Sequence, residues 1–169
     1  MKMKKTVIAI LAAMTLCAAG LASCGGSDSK AESSATAEST AADKTYDVIA
    51  VADKLKSDIK WVDNLNELES GMIEKVIGVK ADLYTKGKVF IGSGGATAEE
   101  IACFEAKDDA AASQIADALD ARVEAQKKAF ENYQPSEMTK LNSPVIVQTR
   151  NYVFMCISDE NSKATEIIG

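Results

Sequence analysis

Polar and apolar positions after residue 46 first follow the period of an amphipathic helix, about 3.6 residues. Apolar residues recur every three or four positions between 51 and 62, which predicts a first helix there. Asn64 and Asn66 are predicted to break it. A second short helix is predicted over 68–79 and ends at Gly78, since glycine commonly terminates helices.

The next segment shows the alternation that is typical of strands. Residues 82–92 alternate in part and include the letters KGK, which suggest a turn or bulge within extended structure. GSGGATAE is a loop, and EEIACFEAKD, residues 99–108, is predicted as a second strand. Its two faces carry Ile101 with Cys103 and Ala102 with Phe104.

One long amphipathic helix is predicted near 109–132. Asp108 or Asp109 caps its start, because a carboxylate there accepts free backbone N–H groups. Pro135 bars its continuation, and Tyr133 is expected to pack against the sheet. The apolar stripe consists of Ile115, Leu119, Val123, Phe130 and Tyr133, with Ala118 and Gln126 between them.

The stretch PVIVQTRNYVFMCIS predicts a hairpin. Its strands are Val145–Gln148 and Tyr152–Ser158, with a turn at Arg150-Asn151 where asparagine tolerates positive φ. Both strands are almost wholly apolar, which indicates central positions in the sheet. The last ten letters predict a short helix.

These elements together predict an α+β fold. Hairpins dominate the order, so the sheet should be largely antiparallel, with about four strands packed by helices. No repeat at solenoid spacing is evident.

The N-terminus predicts an export signal. MKMKK is basic, and the apolar run after it has about 16 residues, fewer than the ~20 that span a bilayer. LASC then resembles a bacterial lipobox. That resemblance implies cleavage between Ser23 and Cys24 and a diacylglycerol on the Cys24 sulfur. The alternative is an ordinary secretory signal with an incidental cysteine.

The predicted organisation is therefore a lipoprotein signal peptide over 1–23, a flexible tether over 24–45 and one domain over 46–169. The tether is rich in Ser, Ala and Gly and cannot bury enough apolar surface to order itself. Two acyl chains give stable attachment. We expect a lipid-anchored protein at the extracytoplasmic face of the cell membrane.

Charge and composition exclude several functions. The formal charge is −6, and loss of Lys2, Lys4 and Lys5 with the signal makes it more negative. An acidic domain is repelled by phosphate backbones, so no nucleic-acid partner is predicted. Histidine is absent, which removes Ser-His-Asp triads and the commonest metal ligand. Neither a cofactor nor a metal site is predicted.

The glycine-rich loop is the first candidate for a ligand site. Gly92, Ser93, Gly94 and Gly95 have the backbone freedom to surround an anion, although the lysine of a Walker loop is missing. A plain connecting loop is the competing interpretation.

Two cysteines, Cys103 and Cys156, remain in predicted strands once Cys24 is lipidated. An extracytoplasmic setting permits a disulfide between them. Their apolar flanks suit two free, buried thiols instead.

Charged residues form two further constellations. Glu99, Glu100 and Glu105 form an acidic patch beside Asp108 and Asp109, for which a solvated surface is favoured over acid/base or calcium chemistry. On the long helix, Arg122 lies beside Gln126. It is expected to pair with a carboxylate under the sheet edge, or else to reach a ligand.

One family resembles the whole folded part, roughly 47–168. The most specific pieces are ATAEEIA at 96–102, Arg122 with Gln126, and Tyr133-x-Pro135. They resemble a group of bacterial lipoproteins classed as domain of unknown function 4358. At the hairpin turn, where relatives often have glycine, this chain has Arg150-Asn151. The resemblance implies a lipoprotein signal and an α+β domain, without an activity or catalytic residues.

The leading functional hypothesis is a lipid-anchored binding or accessory module for a protein, peptide or envelope component. A membrane protein partner is included in that expectation. The alternative is a carboxylate-based extracytoplasmic enzyme, and a third hypothesis is a protein that only positions or inhibits a membrane protein.

Overall fold

A computed structural model describes residues 44–169 of the chain. The predicted signal, its cleavage site, Cys24 and nearly all of the tether lie outside these described residues. Helices and strands alternate in the order α1, β1, α2, β2, β3, α3, α4, β4, β5, α5. The helices are α1 Val48–Asp58, α2 Ser70–Ile77, α3 Asp109–Phe130, α4 Met138–Leu141 and α5 Asn161–Ile168. The strands are β1 Leu65–Glu67, β2 Tyr84–Gly92, β3 Glu100–Ala106, β4 Val145–Thr149 and β5 Tyr152–Ile157.

The strands form one antiparallel sheet in the order β1-β2-β3-β5-β4. The predicted α+β class and antiparallel sheet are confirmed, but the sheet has five strands rather than about four. The additional strand is β1, where Asn64 and Asn66 had predicted only a break. Three residues are too few to show a period, and β1 is a strand because it pairs with Phe90–Gly92.

Helices cover both faces of the sheet. Helices α1 and α5 pack on the face of the sheet that carries Ile101 and Cys103. Helices α2, α3 and α4 pack on the opposite face, which carries Ala102 and Phe104. The alternation predicted for β3 is therefore confirmed, because each side of the strand contributes to a different apolar core.

The predicted hairpin is present, but the central position predicted for its strands is correct for β5 and wrong for β4. Every residue of β5 is buried, and the strand lies between β3 and β4. Strand β4 is at the edge of the sheet. It is nevertheless apolar because Ile146 packs with one core and Val145 and Val147 pack with the other. An apolar sequence indicates that both faces of a strand are covered by other elements. It does not tell whether the strand is central or at the edge of the sheet.

The ends of the helices follow local chemistry. Asp47 caps α1, which therefore starts three residues before its predicted position and ends at Asp58. Gly78 ends α2 with a φ of 88°, as predicted. Asp108 caps α3 by accepting the Ala111 N–H at 2.7 Å.

Two local predictions need correction. Tyr133 is 66% exposed and contacts the Phe130 ring rather than the sheet, because α3 ends before the turn that would carry it inward. In the hairpin, Arg150 takes the positive φ, 53°, in place of Asn151. Asn151 instead donates its side-chain N–H to the Ala106 carbonyl, which fixes the turn to β3.

Among residues 44–169, no helix is both long enough and apolar enough to cross a membrane.

Candidate functional site

A small cavity of about 290 Å³ opens between the β2–β3 connection and the C-terminal half of α3. Its size is near the lower end of the range for small-molecule sites, which is roughly 300 Å³. The walls combine apolar surface with a few polar groups, the usual composition of such sites. The lining residues are Ile91, Gly92, Gly95, Thr97, Glu99, Glu100, Arg122, Ala125, Gln126, Ala129 and Phe130.

A buried ion pair forms the floor of this cavity. Glu100 begins β3, and its side chain is only 1% exposed. Its Oε2 accepts hydrogen bonds from Arg122 Nη2 at 2.8 Å and Gln126 Nε2 at 2.7 Å. Both donors are on α3 one turn apart, so they face the same way. Burial raises the pKa of Glu100, and the Arg122 guanidinium opposes that effect.

Two polar atoms at the cavity have no hydrogen-bond partner within the described chain. They are Gln126 Oε1 and Thr97 Oγ1, both shielded from solvent. Gln126 as a whole is 7% exposed. A carboxylate only accepts hydrogen bonds, so the contact of Nε2 with Glu100 fixes which end of the amide is left unpaired. An unpaired buried acceptor costs about 1–3 kcal/mol, unless a bound molecule supplies the donor.

A second buried network supports the loop beside the cavity. The amino group of Lys140 on α4 is 3.2 Å from Glu99 Oε1 and 3.1 Å from Glu137 Oε2. Glu99 also accepts the backbone N–H groups of Val62 and Asp63, and Glu137 accepts that of Ala98 at 2.9 Å. Three separate segments, 62–63, 98–99 and 137–140, are joined here, which positions the residues around the cavity.

Lys140 keeps its charge in this network. Burial lowers its pKa, but the hydrogen bond to Glu137 and the charges of Glu99 and Glu137 outweigh burial, so the pKa lies above the usual 10.5. Asp159 also approaches the same amino group, at 3.5 Å from the exposed side.

The predicted solvated acidic patch is therefore incorrect. Glu99 and Glu100 are both buried, whereas Glu105 is partly exposed and pairs with Lys86 at 3.0 Å. Sequence could not reveal this because Lys140, which compensates Glu99, is 41 positions away. The expected pairing of Arg122 with a carboxylate is present, and Glu100 is its partner.

The predicted ligand loop lies at the edge of the cavity. Gly92 and Gly95 line it, while Ser93 and Gly94 are held by Asp63. Asp63 Oδ2 accepts the Gly94 N–H at 2.7 Å, which is the main cause of the lowered pKa of Asp63. A Cβ at Gly92 would lie 2.8 Å from Thr97 Oγ1, so glycine there leaves room for that hydroxyl.

Cys103 and Cys156, the possible disulfide pair, are both free and buried. Cys103 is opposite Phe154 and Cys156 is opposite Ile101, so the thiols are diagonal neighbours on adjacent strands. Diagonal pairs are about 7–8 Å apart, beyond the usual Cα separation of about 4.4–6.8 Å in disulfides. Burial raises the pKa of Cys103 strongly and that of Cys156 to about 12. The alternative interpretation, two free and buried thiols, is therefore confirmed.

The residues that sequence reasoning missed are Thr97, Asp63, Glu137 and Lys140. Thr97 was inside the quoted ATAEEIA segment, but no pattern distinguished its hydroxyl from that of any loop threonine. Glu137 and Lys140 are three positions apart, but they and Asp63 meet at Glu99 only in the fold. Within residues 44–169 there is no group of three or more side chains arranged to hold a metal ion.

Comparison with known protein families gives one match. The family model described as domain of unknown function (DUF4358) matches residues 57–158, which include the cavity, Glu100 and Lys140. The chain belongs to this family. No curated protein and no solved structure shows significant similarity to this DUF4358 chain. The family description carries no activity, so the site itself must supply the functional argument.

Proposed function

We propose that this DUF4358 protein is a lipid-anchored binding protein at the extracytoplasmic face of the cell membrane. Its diacylglyceryl anchor is on Cys24, the segment 24–45 is a tether, and the folded domain binds a small ligand in the cavity beside α3. The ligand is a free envelope component or the end of a peptide. The anchor rests on the LASC motif and the apolar segment before it.

The observation that carries the binding role is the pair of unpartnered polar atoms at the cavity. Buried polar groups in proteins are almost always satisfied, so each unsatisfied one calls for an explanation. Gln126 Oε1 and Thr97 Oγ1 both belong to residues that line the same cavity. A ligand that donates to them would remove the cost of leaving them unpaired.

The fixed surroundings also support binding. Arg122 and Glu100 orient each other, and the Lys140 network holds the loop above them, so the polar groups have defined positions before a ligand arrives. Preorganisation reduces the entropy lost on binding. We do not propose the carboxylate-based enzyme, because Glu99 and Glu100 direct their oxygens to backbone N–H groups and cations of the protein itself.

Binding is tested with isotope-labelled protein and a small-molecule extract of the source cells, using backbone NMR shifts as the readout. We expect shifts to concentrate at Thr97, Glu100 and Gln126. The blocking variant is Ala129→Leu, which fills the cavity from an exposed position on α3. Its matched control is Ala121→Leu, also exposed on α3 but outside this cavity.

The expected result is that Ala129→Leu abolishes the shifts and Ala121→Leu preserves them. Absence of shifts at the cavity in the unmodified protein would overturn the binding role. The anchor is tested separately by Cys24→Ala, which should move the protein from the membrane fraction to the soluble fraction. Unchanged membrane fractionation of that variant would refute the anchor.

A further inference from the structure

We infer that the cavity recognises a primary ammonium group carried by a small apolar body. This inference rests on the proposed binding role and names the chemical class of the ligand. It follows from three features of the described residues: the hydrogen-bonding character of the open positions, the buried charge and the shape of the walls.

The open positions are mainly acceptors. Gln126 Oε1 is an acceptor only, and Thr97 Oγ1 both accepts and donates. On Glu100, Oε2 receives three contacts, from Arg122 Nη2 and Nε and from Gln126. Its Oε1 receives one, a long contact of 3.4 Å from Arg122 Nε. A ligand that satisfies these positions must present several donors.

Buried charge favours a cation. The networks around the cavity contain three buried carboxylates, Glu99, Glu100 and Glu137, and two cations, Lys140 and Arg122. One formal negative charge is therefore left over in the buried Lys140 network, whose Glu99 also lines the cavity. Electrostatic interactions are stronger there than in water. The excess negative charge therefore favours binding of a monocation and disfavours binding of an anion.

The number of donors and the size of the cavity narrow the class further. A primary ammonium has three N–H donors around one atom, enough for the two unpartnered oxygens and for Glu100 Oε1, which has only one long contact. A quaternary ammonium has no donor, and the volume of about 290 Å³ admits only a small molecule. Ile91, Ala125, Ala129 and Phe130 provide an apolar wall for the body of the ligand.

Two sources share this chemistry, a free small amine and the amino terminus of a peptide. Isothermal titration calorimetry on the purified protein separates them, with NMR shifts locating the site. The probes are butylammonium, tetramethylammonium, butanoate, alanyl-alanine and N-acetyl-alanyl-alanine. We expect butylammonium to bind and to shift Thr97 and Gln126, and tetramethylammonium and butanoate not to bind. Tighter binding of alanyl-alanine than of butylammonium, lost on acetylation, identifies the peptide terminus.

Thr97→Val removes one proposed contact. The hydroxyl has no partner in the unliganded chain, so the folded state should be preserved. Binding of butylammonium should weaken by roughly tenfold, the effect expected from the loss of one hydrogen bond to a charged group. Thr139→Val, an exposed threonine on α4 outside the cavity, is the matched control and should bind normally.

The outcomes distinguish this inference from the proposed function. Equal binding of tetramethylammonium, or normal binding by Thr97→Val, would show unspecific charge attraction and overturn the inference. Butanoate bound at the cavity would overturn it too, while the binding role would stand. If no probe shifts the NMR signals of the cavity residues, the inference that the ligand is an ammonium compound is refuted. The NMR titration with the cell extract then tests the proposed binding role independently.

Discussion

Replacing Lys140 with methionine tests the buried charge network most directly. The lysine is 4% exposed, and its amino group lies between Glu99 and Glu137. Methionine keeps an unbranched side chain of similar reach and removes the charge and the three donors. The variant therefore changes electrostatics more than packing.

The expected loss in the free energy of unfolding depends on the two carboxylates, Glu99 and Glu137, that stay buried without the lysine. Removing one partner of a buried ion pair costs about 3–5 kcal/mol, because the other charge is left uncompensated. Backbone N–H groups of Val62 and Ala98 still donate to the two carboxylates, so we expect the lower part of that range, about 3 kcal/mol. With a urea m-value of about 2 kcal/mol/M, the midpoint falls by roughly 1.5 M.

Urea unfolding followed by circular dichroism measures this loss as a shift of the unfolding midpoint. The control is Lys163→Met, a half-exposed lysine that lies 3.8 Å from Glu160. An exposed pair contributes at most about 1 kcal/mol, so the loss of stability in this control should be smaller than that.

A second arm uses the double variant Lys140→Met with Glu137→Gln, which removes one stranded charge and should recover part of the lost stability. In the unmodified protein the raised pKa of Lys140 implies stability that is complete below pH 10.5 and declines as pH rises beyond it. A loss for Lys140→Met below about 1 kcal/mol would refute the electrostatic argument. Failure of Glu137→Gln to restore any of that loss would attribute the effect to packing.

Three further results are expected. Gly87→Ala should destabilise by about 1–3 kcal/mol in urea unfolding, because its Cβ would lie 2.6 Å from the buried Phe104 ring; normal stability would contradict that packing. Cys103 and Cys156 should resist iodoacetamide near pH 8 in mapped peptides and react only in denaturant, since burial raises both pKa values; labelling of the native protein would disagree. Asp63→Asn should lower the protection of loop amides near Gly94 against hydrogen exchange, measured relative to the intrinsic exchange rate at the same pH. Acidifying the unmodified protein below pH 3.8 should do the same, because the pKa of Asp63 is lowered and its contacts are lost only there. Unchanged protection in both cases would argue against Asp63 as the anchor of the loop.

Much of the fold was predictable because the relevant signals are local. The 22-residue helix α3 has a stripe that repeats over several turns, and its cap is the adjacent Asp108. Gly78 ends α2 because only glycine adopts the required conformation without strain. The missed strand β1 has three residues, and its identity depends on a partner strand more than twenty positions away.

The candidate site was predictable only in part. The loop at 92–95 and the pairing of Arg122 with a carboxylate were both expected, and the structure brings them to one cavity. The burial of Glu99 was not expected. The sequence does not distinguish a glutamate that is solvated by water from one that is buried and compensated by a distant lysine. The hydrogen bonds that Thr97 and Gln126 leave unmade could not be recognised without coordinates.

Sequence alone determined the α+β class, the cap of α3, the glycine that ends α2 and the alternating faces of β3, because those depend on neighbours within a few residues. Tertiary structure alone decided that β4 is an edge strand, that the cysteines are diagonal and that Lys140 meets Glu99 and Glu137. The physical reason is that burial and pairing depend on which distant segments meet. A charge placed in the interior is stable only if a specific partner arrives with it.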